Sequence, residues 1–434
     1  MKKIAALLTI IIMCARPLMA AQLFDVNQQE DTNTTSDSII VDILEKQNVK
    51  FTTDNSITLL TSGKEKFEDM FKAIRQAKSS IHLEYFNFRN DSIAFALFDL
   101  LAEKAKEGVE VRALFDAFGN ASNNQPLKNH HIKELRDRGI QIYKFDPIRF
   151  PWVNHVFARD HRKIVVIDGK IAYTGGMNVA DYYINGTPEV GKWRDMHCRV
   201  DGSAVNDLQK IFVETWNATT GDTLHGAKYY RGIDNGGYFN GLKPDTSATA
   251  GHKMAGIANR EPEVSNKIAR ILYTEGINAA KDSIKIINPY MTLNHKLKKA
   301  LKNAVKRGVK VDILVGAKSD IPLTPDAMYY ALHKLMKKGC TVWLYEDGFH
   351  HSKTMTVDGR FCTLGSINLD ARSLRWDREV NTVIIDRSTT CELDSLFIDD
   401  TKHSFKLTEE SWKKFRTPWK RFVGWFAHLL TPFL

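Results

Sequence analysis

One pattern, eighteen residues long and present twice, constrains this chain more than any other feature. His161 to Asn178 reads HRKIVVIDGKIAYTGGMN, and His351 to Asn368 reads HSKTMTVDGRFCTLGSIN. Both copies fit His-x-Lys, four residues, Asp, six residues, then Gly-[Gly/Ser]-x-Asn. One His-x-Lys is noise in a lysine-rich chain, but a match in register over the whole stretch, repeated, is not. The flanks repeat as well. Ala77-Lys78-Ser79-Ser80-Ile81 parallels Ala280-Lys281-Asp282-Ser283-Ile284, and Glu107-Gly108-Val109-Glu110-Val111 parallels Arg307-Gly308-Val309-Lys310-Val311. Two large copies rather than many short ones mean an internal duplication and two similar lobes.

Each copy reads as a β-hairpin. Side chains at i and i+2 of a strand share a face, so His161 and Lys163 point together, as do His351 and Lys353. Apolar runs follow, and Asp168-Gly169 and Asp358-Gly359 then supply a strong hairpin-turn signal. An ammonium beside the imidazole repels a cation, so neither a metal nor another cofactor is expected. The pair suits an anion: lysine holds a phosphate as a point charge, and histidine serves as nucleophile when neutral and acid when protonated. Two copies supply two of each, which is what double displacement at phosphorus requires. Neither lobe holds both imidazoles, so the site belongs at the lobe interface.

These are the two H-x-K-x4-D motifs of the phospholipase D superfamily, and the chain after residue 50 resembles the bacterial cardiolipin synthases most. ITLLTSGKEKFEDMFKAIRQAKSSIHLEYF (57–86), GKWRDMHCRVDG (191–202) and NLDARSLRWDREVN (368–381) carry that likeness. It implies an α/β fold of two lobes, each a mixed sheet flanked by helices, related by a pseudo-two-fold axis. It implies that His161, Lys163, Asp168, His351, Lys353 and Asp358 form the catalytic set, with His161 the nucleophile and His351 the acid/base, or the reverse. Turn geometry suggests that Asp168 and Asp358 shape the hairpins more than they react. Asn178 and Asn368 are implied as hydrogen-bond donors beside the phosphate. Asp195 and Glu379 are implied as acceptors that fix the imidazoles, the rival being ion pairs with neighbouring arginines. The expected reaction makes cardiolipin from phosphatidylglycerol through a phosphohistidine. Hydrolysis of phospholipid headgroups is the alternative, and a secreted nuclease is a more distant one.

A formal net charge of +10 implies anionic partners, for which nucleic acid and an anionic membrane both qualify. The two ends of the chain favour the membrane, with phosphatidylglycerol as the lipid and no nucleic acid. Residues 1–21 have the layout of a signal peptide or an N-terminal anchor, which implies export and a place on the outer face of the inner membrane. Residues 411–434 read as one basic amphipathic helix, with Trp419, Phe422, Val423, Phe426, Leu429 and Leu430 on one face. Between them, 22–56 reads as a polar linker with a short helix, 57–220 as the first lobe, 221–255 as a connection and 256–410 as the second lobe. A loop of about ten extra residues before His161, from Pro147 to Arg159, reads as an aromatic, basic lip or as surface packing.

Overall fold

The computed structural model describes residues 35–148, 157–232, 251–322 and 324–431. The expected leader, the middle of the loop before His161 and most of the glycine-rich connection, with Tyr238 and Phe239, lie outside the described residues.

The first half contributes β1 (Phe51–Leu60), β2 (Ser80–Tyr85), β3 (Glu110–Asp116), β4 (Gln141–Phe145), the hairpin β5 (Ile164–Ile167) and β6 (Ile171–Gly175), the short β7 (Trp193–Arg194) and β8 (His197–Asp201). The second half answers with β9 (Lys253–Arg260), β10 (Ser283–Ile287), β11 (Lys310–Gly316), β12 (Thr341–Tyr345), β13 (Phe349–His350), the hairpin β14 (Thr354–Val357) and β15 (Phe361–Gly365), and β16 (Glu379–Ile385), then adds β17 (Ser404–Lys406). Strand order is β17-β12-β11-β10-β14-β15-β16-β9-β1-β8-β6-β5-β2-β3-β4, a near-palindrome about the β9–β1 seam. Register obeys the same symmetry. Ile81 pairs with Val111 in parallel, and its counterpart Ile284 pairs with Val311.

β2, β5, β14 and β15 are buried along their whole length, as strands covered on both faces must be. The longer helices are α1 (Ser36–Glu45), α2 (Gly63–Gln76), α3 (Ser92–Lys106), α4 (Asn129–Asp137), α5 (Val205–Thr220), α6 (Ile268–Ala279), α7 (His295–Lys306), α8 (Thr324–Met336), α9 (Arg387–Thr401), α10 (Glu409–Phe415) and α11 (Pro418–Leu429). Phe67, Met70 and Ile74 of α2 with Leu97 and Leu101 of α3 bury one face of the first half. Leu272 and Ile277 of α6 with Leu297 and Leu301 of α7 do the same for the second. A third core joins the halves: Val166, Cys198 and Val200 meet Cys362, Leu364 and Ile384.

Two strand boundaries, those of β1 and β9, differ from the sequence reading. β1 begins at Phe51, inside the stretch read as linker, and pairs with both β8 and β9. α1 packs through Ile40 and Leu44 into the core of the second half. β9 starts at Lys253, inside the stretch read as connection. Of the tyrosines in that connection, Tyr229 and Tyr230 are buried against Phe212 and Trp216, which is loop packing.

The C-terminal stretch is two helices rather than one. Proline at the first position of α11 forces the preceding residue out of helical conformation, and Thr417 instead caps the new helix at the amide of Lys420. Trp412 of α10 is buried in the core. α11 turns Gly424 and Ala427 inward and leaves Trp419, Phe422, Trp425, Phe426 and Leu429 exposed. Among the described residues no helix is long and apolar enough to cross a membrane.

Candidate active site

Each hairpin turn is built by its Asp-Gly pair. Asp168 and Gly169 have φ of 52° and 63°, and Asp358 and Gly359 have 53° and 62°, a left-handed pair that opens a three-residue loop, since Ile167 pairs with Ile171 and Val357 with Phe361. The carboxylate of Asp168 accepts from the amides of Lys78, Ser79 and Ser80, and that of Asp358 from Lys281, Asp282 and Ser283. The motif aspartates therefore tie their turns to the starts of β2 and β10. With the four residues of β5 between Lys163 and Asp168, they stand roughly 15 Å along the hairpin from the histidine end. From there their hydrogen bonds hold the hairpins in place.

The histidines precede the hairpins, in segments pinned across the seam. Asp160 bridges in parallel to Arg378, and β13 pairs in parallel with β7, setting His350 opposite Arg194. The amide of His161 donates to the carbonyl of Arg378 at 3.0 Å, and that of His351 to Arg194 at 2.7 Å. Each histidine is thus strung against the other half, next to an acid. His161 Nδ1 lies 3.0 and 3.1 Å from the two carboxylate oxygens of Glu379. His351 Nδ1 lies 2.7 Å from Asp195 Oδ2. Both acids are fully buried. The neighbouring arginines pair elsewhere, Arg194 with Asp400 and Arg378 with Glu261, so the rival reading of local ion pairs does not describe either acid.

Lys163 and Lys353 are buried, and each donates to the carbonyl of its own histidine. Lys353 Nζ also sits 3.0 Å from both ring nitrogens of His351. Asn178 and Asn368 follow the glycine-containing turns and are buried, each with an Oδ1 that has no hydrogen-bond partner. The two halves act on one another electrically. Burial, then Lys163, Lys353 and His351, hold His161 well below the usual histidine range. Burial and Lys353 lower His351 too, but Asp195 opposes them. Burial brings Lys163 down to about 7 and Lys353 to about 8, and pushes Glu379 up to about 7. Four basic side chains from both halves, compressed toward neutrality by burial, form a site that an anion would recharge.

The halves are not identical here. Ser366 Oγ donates to Glu379, whereas the matching Gly176 packs directly on Asp195: a Cβ there would stand 2.2 Å from Asp195 Oδ1. Surroundings differ as well. Trp193, Tyr290 and Phe349 enclose His351, with ring centroids 5.6, 5.9 and 5.5 Å away, while Phe86 meets His161 edge-on at 5.1 Å.

Sequence reasoning missed the buried ionic frame behind His161. Arg159 is wholly buried and pairs with Asp116 at 3.0 Å, and its amide donates to Asp377. Arg162 pairs with Glu84 at 2.8 Å and with Asp160 at 3.0 Å. The end of the loop read as a lip is therefore an anchor, although Phe157 remains half exposed beside Trp376. These partners are far apart in sequence and leave no periodic trace. Only Ser366 carried a signal, as the one position of the Gly-[Gly/Ser] turn that differs between the copies.

A family model described as "Cardiolipin synthase, PLD-like domain" matches residues 70–216 and 273–401. Cardiolipin synthase 2 of Staphylococcus epidermidis is 36% identical over 399 residues, covering 91% of this chain and 78% of that protein. A cardiolipin synthase of Staphylococcus aureus is 35% identical over 386 residues, covering 88% and 74%. Among solved structures, phosphatidylserine synthase of Haemophilus influenzae superposes with a TM-score of 0.70 at 17% identity, over 91% of this chain and all of that one, which is a likeness of fold.

Proposed function

Since the chain belongs to the cardiolipin synthase family of phospholipase D-like phosphatidyltransferases, we propose that it joins two molecules of phosphatidylglycerol into cardiolipin and glycerol through a phosphohistidine. Its cardiolipin synthase relatives, similar over most of the chain, support the substrate class. The crossed acids support the mechanism. With Nδ1–H of His161 donated to Glu379, Nε2 keeps the lone pair that attacks phosphorus. The P–O bond to the glycerol headgroup breaks, and His351 gives that oxygen its proton. The neutral His351 then takes the proton of the incoming glycerol hydroxyl as this oxygen displaces His161 from phosphorus. Lys163 and Lys353 hold the non-bridging oxygens as charge builds on them, and Asn178 and Asn368 donate beside them.

The assignment of His161 as nucleophile rests on its surroundings. The leading influences on it all favour the neutral ring, whereas Asp195 at 2.7 Å stabilises the imidazolium that a proton carrier must form. The exposed aromatic face of α11, with Lys413, Lys414, Lys420 and Arg421 at or before its start, supports work at an anionic membrane surface. The outer face of the inner membrane is the proposed location, on the reading of residues 1–21 as an export signal.

The test is lipid mass spectrometry of a cardiolipin-free bacterium expressing either the wild type or His161→Ala. Cardiolipin in the first strain alone is the expected result. Phosphatidic acid without cardiolipin would make the enzyme a hydrolase, and an unchanged lipid profile in both strains would remove the reading.

A further inference from the structure

Beside α11, outside the reacting centre, runs a groove of about 410 Å³. Leu293, Leu374 and Leu429 make its apolar wall, and Lys298 of α7, Arg375 and His428 of α11 bring basic groups to it. Lys298 Nζ lies 3.4 Å from His428 Nε2. Lys334 acts on both groups, and Lys302 adds to its effect on Lys298. Among the described residues no carboxylate pairs with Lys298, Arg375 or His428. Burial first, then the neighbouring lysines, bring Lys298 down to about 8 and His428 to about 4. Cations gathered without a counter-charge repel one another, and the arrangement gains most from an anion.

The apolar wall narrows the choice of anion. Leu429 lines the groove and is itself exposed, so the groove opens onto the helix that displays Trp419, Phe422, Trp425 and Phe426. A ligand that fits is anionic at one end and apolar along the other. We propose that this groove is a second lipid site, which seats the phosphate headgroup of an anionic phospholipid while the acyl chains run along α11 into the bilayer. The proposal rests on the reading that the enzyme works at a phospholipid membrane. It adds a fixed point beside the second half, at which a bilayer lipid holds the protein independently of turnover.

Flotation of the full chain with vesicles of phosphatidylcholine, with and without phosphatidylglycerol, tests it. Lys298→Glu and the double variant Lys298→Ala/Arg375→Ala are each expected to bind phosphatidylglycerol vesicles about tenfold or more weakly than wild type. Turnover of short-chain phosphatidylglycerol dispersed in detergent, where no bilayer exists, is expected to stay within about twofold. Thermal melting of the double variant checks that it folds. Flotation equal to wild type in both variants would overturn the site. So would a matching loss of detergent turnover, which would merge the groove with the reacting centre, and so would displacement from vesicles by millimolar inorganic phosphate, which would make it a simple phosphate site. Failure of wild type to make cardiolipin in detergent bears on the proposed reaction alone and leaves the flotation result standing.

Discussion

Asp195, from the first half of the chain, accepts from Nδ1 of His351, from the second, across 2.7 Å. The reciprocal pair, Glu379 on His161, spans the seam in the other direction. Each half therefore lends the other the acid that orients its ring, and the two imidazoles cannot be tuned separately.

Glu379→Gln keeps the shape of the side chain but can present an N–H to the ring and so favour the wrong tautomer. Turnover is expected to fall by about 10³–10⁴-fold, with little change in KM or thermal stability. Steady-state cardiolipin formation measures this, and a loss under tenfold would remove Glu379 from the orienting role.

Gly176→Ser copies into the first half the residue that the second half carries at Ser366. A Cβ at that position would stand 2.2 Å from Asp195 Oδ1, so the carboxylate must leave His351. A loss of turnover of about 10²-fold or more is expected. Ser366→Ala, which deletes one hydrogen bond to Glu379 and adds no atom, is expected to lose less. Equal effects of the two changes would contradict the packing asymmetry.

Asp168→Ala removes the acceptor of three backbone amides. The expected result is a stability loss of about 1–3 kcal/mol in urea unfolding, with turnover per folded molecule within about twofold of wild type. An inactive but stable variant would return this aspartate to the chemistry.

The lysines set an alkaline limit. His351, which must enter the first step protonated and is held below its usual range, loses its proton first, and Lys163 near 7 and Lys353 near 8 follow, so kcat/KM should begin to fall below pH 7 and decline further through pH 7–8. A bound phosphodiester favours the charged ammonium groups, so the same limb in kcat is expected at higher pH. His161, held well below its usual range, stays neutral throughout and adds no acidic limb in that window. A rate that climbs steadily from pH 7 to 9 would count against lysines as phosphate holders.

Replacing Trp419, Phe422 and Trp425 together by serine strips the outer face of α11 without touching Gly424 or Ala427, which face the protein. Each aromatic inserted in the interface contributes on the order of 1–2 kcal/mol. The triple variant should therefore bind vesicles about 100-fold or more weakly and keep its detergent activity. Sedimentation with vesicles reads the first and product formation the second.

Much of this geometry was legible because the chain states it twice. The Asp-Gly turns, the common offset of strands and glycines, and the sharing of one site between lobes all follow from the repeated spacing. The crossed acids were reachable only through family resemblance, since nothing local in Trp193-Arg194-Asp195 says that its carboxylate faces a ring in the other half. The frame of Arg159, Asp116, Arg162 and Glu84 was not legible at all, because long-range ion pairs impose no period. The break before Pro418 could have been read from Thr417-Pro418, but the basic residues that continue across it, from Lys413 to Arg421, masked the boundary.

β1 is held between β8 of its own half and β9 of the other. A nascent chain leaving the ribosome with only the first half complete therefore carries a bare strand edge at the middle of its future sheet. Its first histidine lacks an orienting acid until Glu379 has been synthesised. Protein truncated by premature termination or proteolysis before that point should be inert and prone to self-pairing through β1, a substrate for quality control rather than a partially active enzyme.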